Sequence, residues 1–373
     1  MCTEKQPPVC SDILPAFPKG NVAVVFETSH RFIPYLSVAI LSLIDHTTTD
    51  HNYDIIILSP ETTAQDEALL QSMCCGRSNI RIRAFNPHNM VQAYIENAQY
   101  QYLEINYYRM SLPWILKHYT RVINLGADVL LKRNIADLFY EKMEDTAYVG
   151  GAVDLGYQGR LALDISHREL GLKDPFAYIN ADVLILELDK IRTHFLQDEV
   201  MLNWQKRFFR CAEQDAINCL FQEHIHHIDL RWNLFPSNMS SEFDVMHAPA
   251  SSVLHWKECL PQPYIIHYAA VPKPWQLPTV GYGVEWWYTA KKSPYFEEII
   301  REMSHYLETH GEFRIVDSDV HSLTQKLMPH GSIRRKILKA LIPKGSVQWC
   351  LLKKAYYTTH IEKQNIKRWE NEK

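Results

Sequence analysis

The stretch VINLGADVLLKRNIADLF, Val122–Phe139, decides the fold. With Arg121 it opens as RVINL, a short apolar run rich in β-branched residues that suits a buried strand. The run stops abruptly at Gly126-Ala127-Asp128. In open α/β sheets ligands collect at the carboxyl ends of strands, so an aspartate at this point is a candidate site residue.

Working outward, the same grammar repeats. VAVVFE (Val22–Glu27) and DIIILS (Asp54–Ser59) read as buried strands, and IRIRAF (Ile80–Phe85) alternates as a third. Helical spacing covers Pro34–Asp45, Glu61–Met73 and Ile105–Tyr119. This βαβαβ order predicts a parallel sheet with helices on both faces. Further strands are expected at Ala147–Asp154, Ala181–Leu188 and Ile225–Leu230, with a helix at Glu213–Phe221 between the last two.

The chain has 373 residues, 46% of them hydrophobic, enough for a large core. A net charge of −4 and a pI near 6.5 argue against a nucleic-acid binder. The eight cysteines show no paired CxxC spacing and read as reduced thiols. The first twenty residues hold four prolines and read as a tail. They lack a basic region followed by an apolar run, and the most apolar helical stretch, Tyr35–Ile44, is too short to span a bilayer. The expectation is a cytoplasmic protein, peripheral on the inner face of the cytoplasmic membrane. The expected organisation is a tail over 1–20, one catalytic domain over 21–310, and a basic, amphipathic C-terminal region over 311–373.

Six stretches in order carry a family resemblance. They are YLSVAILSLIDHT (Tyr35–Thr47), YYRMSLPWIL (Tyr107–Leu116), Val122–Phe139 itself, YINADVLILELDKIR (Tyr178–Arg192), EQDAINCLF (Glu213–Phe221) and IIHYAAVPKPW (Ile265–Trp275). Together they resemble the retaining glycosyltransferases of family 8, bacterial lipopolysaccharide galactosyltransferases and glucosyltransferases above all, and more distantly glycogenin. The resemblance covers about 21–303. It implies a GT-A-type α/β domain with a mainly parallel central sheet flanked by helices. It also implies transfer of glucose or galactose from a UDP-hexose donor to a lipopolysaccharide or surface-polysaccharide acceptor, glycan or lipid-linked.

The chemistry accounts for the residue types. Breaking a sugar–phosphate bond leaves charge on a diphosphate, and a divalent cation stabilises it as a Lewis acid. Mg²⁺ prefers oxygen ligands and Mn²⁺ also accepts an imidazole. The resemblance assigns Asp128 and His267 to Mn²⁺ or Mg²⁺. It sets Arg109, Ala127, Asp128, Lys273, Phe26 and Ser29 around the donor, and Gln214, Asp154, Asn180 and Glu213 around the reacting sugar. Gln214 is a poor nucleophile, so a front-face route is favoured over a covalent intermediate.

The sequence departs from the family pattern at Gly126, where the first aspartate of the DxD motif usually stands. Glycine has no side-chain ligand. A water or carbonyl in its place, weaker metal binding, or a catalytically degenerate protein that only binds nucleotide sugar or glycan all follow from that. Asp182 stands where the family usually has glycine and offers electrostatic compensation. On this reading Gly126→Asp adds an anionic ligand and tightens metal binding. Ser29 replaces a usual acidic residue, and Glu213 an aspartate. Outside the family motifs, His224-Ile225-His226-His227 alternates across a strand and reads as structural rather than metal-binding. Gly281-Tyr282-Gly283 is too short for a phosphate loop, and Trp286-Trp287 reads as packing or an acceptor platform.

No acidic residue lies between Asp319 and Glu362, while Arg334, Arg335, Lys336 and Lys339 interleave with Ile333, Ile337, Leu338, Leu341 and Ile342 at helical spacing. Residues 332–354 are therefore expected to form one or two short basic amphipathic helices that dock on an anionic membrane surface, each cation contributing about 1 kcal/mol; the alternative is a helix packed on the catalytic domain with its charges solvated. The full-length chain should pellet with anionic liposomes, less so at high salt, and a chain ending at Gly331 should stay in the supernatant. Equal pelleting of the two would remove the membrane expectation.

Overall fold

The structure, a computed structural model, describes residues 12–162 and 170–310. The basic segment 332–354 and the rest of the C-terminal region thus lie outside the described residues. The chain opens with β1 (Asn21–Glu27), α1 (Ile33–Asp45), β2 (Asn52–Leu58), α2 (Ala64–Ser72), β3 (Ile80–Phe85), α3 (His88–Glu96) and α4 (Glu104–Ile115). It continues through β4 (Arg121–Leu125), β5 (Val129–Leu131), α5 (Ile135–Phe139), β6 (Val149–Val153), α6 (Leu155–Ala162) and β7 (Ile179–Glu187). Next come α7 (Leu188–His194), α8 (Gln197–Gln205), α9 (Ala212–Phe221), β8 (Ile225–His227), α10 (Ser240–Val245) and α11 (Ala250–Cys259). The last elements are β9 (Ile265–His267), α12 (Gly283–Ala290) and α13 (Phe296–His310).

Seven strands form one sheet in the order β3-β2-β1-β4-β7-β6-β8, and β5 pairs with β9 in a two-stranded ribbon. The first strands are apolar at every position because both faces are covered. In β1, Val22, Val24 and Phe26 face the core under α1, while Ala23 and Val25 face the core under α4. The fold is thus the expected α/β class. The sheet departs from a purely parallel one at β7, which runs antiparallel to both β4 and β6. That reversal matters for the site. It carries the beginning of β7, Ile179–Asp182, to the carboxyl end of β4, where Gly126 N–H donates to the Asp182 carbonyl at 2.9 Å.

Other expected boundaries shift for local reasons. The helix expected from Glu61 starts at Ala64, because Thr63 and Asp66 make a reciprocal capping box. The strand expected to reach Leu230 ends at His227, and Leu230–Asn233 forms a 3₁₀ turn capped by the Asp229 side chain. The described cysteines are unpaired: Cys74, Cys75, Cys211, Cys219 and Cys259 are free thiols. No helix among the described residues is long and apolar enough to cross a membrane.

One polar group is sealed inside the sheet. Asp54 on β2 is fully buried and accepts from Arg83 at 2.9 Å, from the Tyr119 hydroxyl at 2.7 Å and from Ala16 N–H at 2.9 Å. Removing the cation strands a buried carboxylate, which costs about 3 kcal/mol or more. Arg83→Met should lower the stability of the chain by about that amount in urea titrations. A loss below about 0.5 kcal/mol, the level of an ordinary surface change, would show that the pair is not needed.

Candidate active site

Two pairings assemble the site at the end of β4. The first is the β5–β9 ribbon, which sets His267 opposite Val129 and lets Tyr268 N–H donate to the Asp128 carbonyl at 3.0 Å. The second is the β4–β7 pairing, which brings in Asp182. As a result ligand atoms of Asp128, Asp182 and His267 all lie within 4.8 Å of one another. His267 is completely buried. Its Nδ1 is 2.8 Å from Asn233 Oδ1, an acceptor, so the proton is assigned to Nδ1 and the Nε2 lone pair faces the two aspartates. Nε2 lies 3.5 Å from Asp128 Oδ1 and 3.4 Å from Asp182 Oδ2, but has no hydrogen-bond partner among the described residues. Lys273 Nζ reaches Asp128 Oδ2 at 2.6 Å. Burial would push the Asp128 carboxyl up, yet the Lys273 ammonium beside it holds it below the usual aspartate value. Trp275 stacks on Tyr35 of α1 at 4.1 Å and so pins the loop that carries Lys273.

Arg109, one turn inside α4, gathers carboxylates from three other elements. Its guanidinium donates to Glu27 of β1 at 3.3 Å, Asp182 of β7 at 3.0 Å and Glu213 of α9 at 2.9 Å. Burial works against the arginine's charge, but Asp182, Glu27 and Glu213 raise its pKa above the ordinary value. Burial also raises Glu27 and Glu213, with Arg109 opposing in each case.

A third group lies beyond Asp182. Gln214 Nε2 and Asn180 Nδ2 both donate to Asp154 Oδ2 at 3.1 Å, and Gln214 Oε1 accepts from Ala181 N–H at 3.0 Å. Asn180 Oδ1 accepts from Asn233 Nδ2 at 3.0 Å. One hydrogen-bonded chain therefore runs from Gln214 through Asp154, Asn180 and Asn233 to His267.

Two cavities open onto these groups. One of about 430 Å³ is lined by Glu27, Ser29, Ala127 and Asp128, and one of about 880 Å³ by Asp154, Asn180, Gln214, Tyr102 and Phe235. Both are also lined by Arg109 and Asp182, which stand where they meet.

The structure brings together Arg109, Ala127, Asp128, Ser29, His267 and Lys273 on one side, and Asp154, Asn180, Glu213 and Gln214 on the other. Phe26 is a correction: its side chain is fully buried in the core beneath α1, because alternation along β1 turns its neighbour Glu27 to the site instead. Glu27 and Asn233 were missed by sequence reasoning. Glu27 carried a usable signal, an acid closing a buried strand just as Asp128 follows one. Asn233 carried none. The histidines around β8 diverge as expected: His224 bonds the Thr146 carbonyl, His226 pairs with Glu144, and His227 bonds the Ala177 carbonyl. Gly281 and Gly283 serve close packing, since a Cβ would lie 2.8 Å from the Ser237 carbonyl oxygen and 2.2 Å from that of Pro278.

This arrangement, an aspartate–histidine cluster at a strand end beside a buried arginine, fits the family motifs. The chain belongs to glycosyl transferase family 8, whose model matches residues 23–277. A putative glycosyltransferase of Haemophilus influenzae (strain ATCC 51907 / DSM 11121 / KW20 / Rd) is 21% identical over 222 residues, 58% of this chain and 64% of the relative. The fold is similar to that of the bifunctional glycosyltransferase WbbM, with a TM-score of 0.72 and 18% identity over 79% of this chain and 54% of that one. It is also similar to the galactosyltransferase LgtC solved with donor and acceptor sugar analogues, with a TM-score of 0.58 and 21% identity over 73% of this chain and 96% of that one. The chain thus spans less than two thirds of the Haemophilus relative and about half of WbbM.

Asn233 is the joint between the two halves of the site. Asn233→Ala should leave His267 Nδ1–H and part of Asn180 unsatisfied in the interior, and lower stability by about 1–3 kcal/mol. Chemical denaturation checks this; a variant as stable as the parent would show that the joint contributes nothing to the fold.

Proposed function

We propose that the chain moves glucose or galactose from a UDP-sugar to a saccharide acceptor of a lipopolysaccharide or surface polysaccharide, with retention at the anomeric carbon. What carries the reading is the meeting of two cavities at Arg109 and Asp182, directly beside the Asp128–His267 pair. The smaller cavity suits the nucleotide diphosphate and the larger one suits two sugars. A lipid-linked acceptor at the inner face of the membrane would be consistent with the basic segment 332–354.

The residues fit a divalent cation because a buried imidazole nitrogen, without a hydrogen-bond partner among the described residues, points at two carboxylates. Mn²⁺ suits this mixed set better than Mg²⁺. When bound, the cation would supply Lewis-acid stabilisation of the leaving diphosphate. The protein's own groups do the rest. In the transfer the acceptor hydroxyl oxygen bonds to the anomeric carbon as the bond from that carbon to the phosphate oxygen breaks. The departing oxygen keeps the electron pair and takes the hydroxyl proton. Lys273, which bonds Asp128 at 2.6 Å, would bear on the diphosphate charge. Gln214 is a poor nucleophile as an amide and its Oε1 already accepts from Ala181 N–H, while the Asp154 carboxylate accepts from two amides and from Tyr157 N–H. Both points favour the front-face route.

Asp128→Asn should cut Mn²⁺-dependent release of UDP from UDP-glucose or UDP-galactose by about a hundredfold or more, since the lost charge stabilisation is of order several kcal/mol. Unchanged release would reject the reading. A binding protein without activity is the competing reading, favoured by Gly126. UDP that raises the melting temperature while no UDP-hexose is consumed would decide for it.

A further inference from the structure

We infer that the metal ligand missing at Gly126 has moved across the sheet to Asp182, so that Asp128, Asp182 and His267 form the cation site of this chain. The inference rests on the transferase reading and goes further by assigning a first-sphere role to a residue on a different strand. Four observations support it.

Space comes first. A Cβ on Gly126 would lie 3.1 Å from Asp182 Cβ, 3.1 Å from Asp182 Oδ1 and 3.0 Å from Asp128 Oδ1. The Asp182 carboxylate therefore already fills the volume that a side chain at 126 would use. Side chains at the two positions would crowd one another, Asp182 having to give way by a few tenths of an ångström, and glycine at 126 leaves the aspartate at 182 its present place.

Orientation comes second. Asp182 is fixed at both ends of its peptide: its N–H donates to Asn180 Oδ1 at 3.0 Å, and its carbonyl accepts from Gly126 N–H at 2.9 Å. Its two carboxylate oxygens divide the work. Oδ1 takes the Arg109 hydrogen bond, and Oδ2 faces His267. An outer hydrogen bond on one oxygen that aims the other is how ligating carboxylates are commonly held.

The third observation is the buried Nε2 of His267, which has no hydrogen-bond partner among the described residues and lies about equally far from both aspartates. A buried nitrogen lone pair left without a partner is costly unless something else occupies it. The fourth is charge. Glu27, Asp128, Asp182 and Glu213 face two side-chain cations, Arg109 and Lys273. Four carboxyl groups gathered around two cations leave an acidic surplus, which favours a bound cation.

The geometry also reverses the expectation that Gly126→Asp would tighten the site. With Asp182 present, the new side chain would be driven into two carboxylates.

Mn²⁺ alone can be titrated into the full-length chain, with bound metal read from the loss of the free-ion electron paramagnetic resonance signal. Each variant is first melted without metal to establish that it is folded. Asp182→Asn is nearly isosteric, keeps an oxygen for Arg109, and should weaken Mn²⁺ binding by at least about tenfold. Gly126→Asp should bind no more tightly than the parent. The exchange variant Gly126→Asp/Asp182→Gly, which moves the carboxylate back to β4, should recover binding to within about threefold of the parent, a difference of under 1 kcal/mol. Asp182→Asn binding like the parent, while Asp128→Asn loses the metal, would overturn the inference and leave the transferase reading intact. Gly126→Asp binding more tightly than the parent would overturn it as well. A parent chain that binds no Mn²⁺ would overturn both the inference and metal assistance.

Discussion

The Arg109 guanidinium is the constraint on which the rest of the site depends. Three buried or half-buried carboxylates from β1, β7 and α9 converge on it, and α4 delivers it. Carboxylates gathered this closely away from water repel one another and lose hydration, so the cluster is tenable only around a group that bonds several of them at once. A guanidinium has five donors in a planar fork, whereas an ammonium is a compact point charge on a flexible stem. Arg109 thereby joins the helix layer to the two strands that flank β4. The cleft floor between β1 and β7 is held by charge as much as by the apolar cores on either face of the sheet.

A second, neutral network complements the ionic one. Asn180 and Asn233 link the Asp154–Gln214 pair to His267 without placing a formal charge between them. Each amide is both donor and acceptor, so every orientation is fixed by its neighbours, and the chain has one satisfied arrangement. The groups that would surround a sugar and those that would hold a cation are thus set relative to one another by four side-chain hydrogen bonds rather than by loop packing.

Much of this was legible in the sequence. The runs around Val24, Ile56 and Ile123 read as strands because a sheet covered on both faces needs apolar residues at every position. Asp128 stood out because it follows such a run. The errors share one cause, that pairing direction and facing are tertiary properties. Phe26 and Glu27 are adjacent in an unbroken strand, and only the placement of α1 and α4 says which of them meets the cleft. Asp182 could be seen as unusual for its family, but its contact with Gly126 appears only once β7 is known to run antiparallel to β4. Asn233 sits in a short 3₁₀ turn whose sequence, Leu230–Asn233, has no feature that points to a histidine far along the chain.

The β5–β9 ribbon has a consequence for the order in which the protein becomes competent. Lys273 and Asp128, which touch, are 145 positions apart in sequence. Contacts of such long range close late, because the entropy of the intervening chain must be given up before they form. On the ribosome, where synthesis runs at about 5–20 residues per second, a nascent chain ending short of β9 holds Arg109 and both aspartates but neither His267 nor Lys273. Such a chain carries Asp128 and Asp182 with Arg109 but without Lys273, so this side of the cleft is completed only once residues 265–273 have emerged.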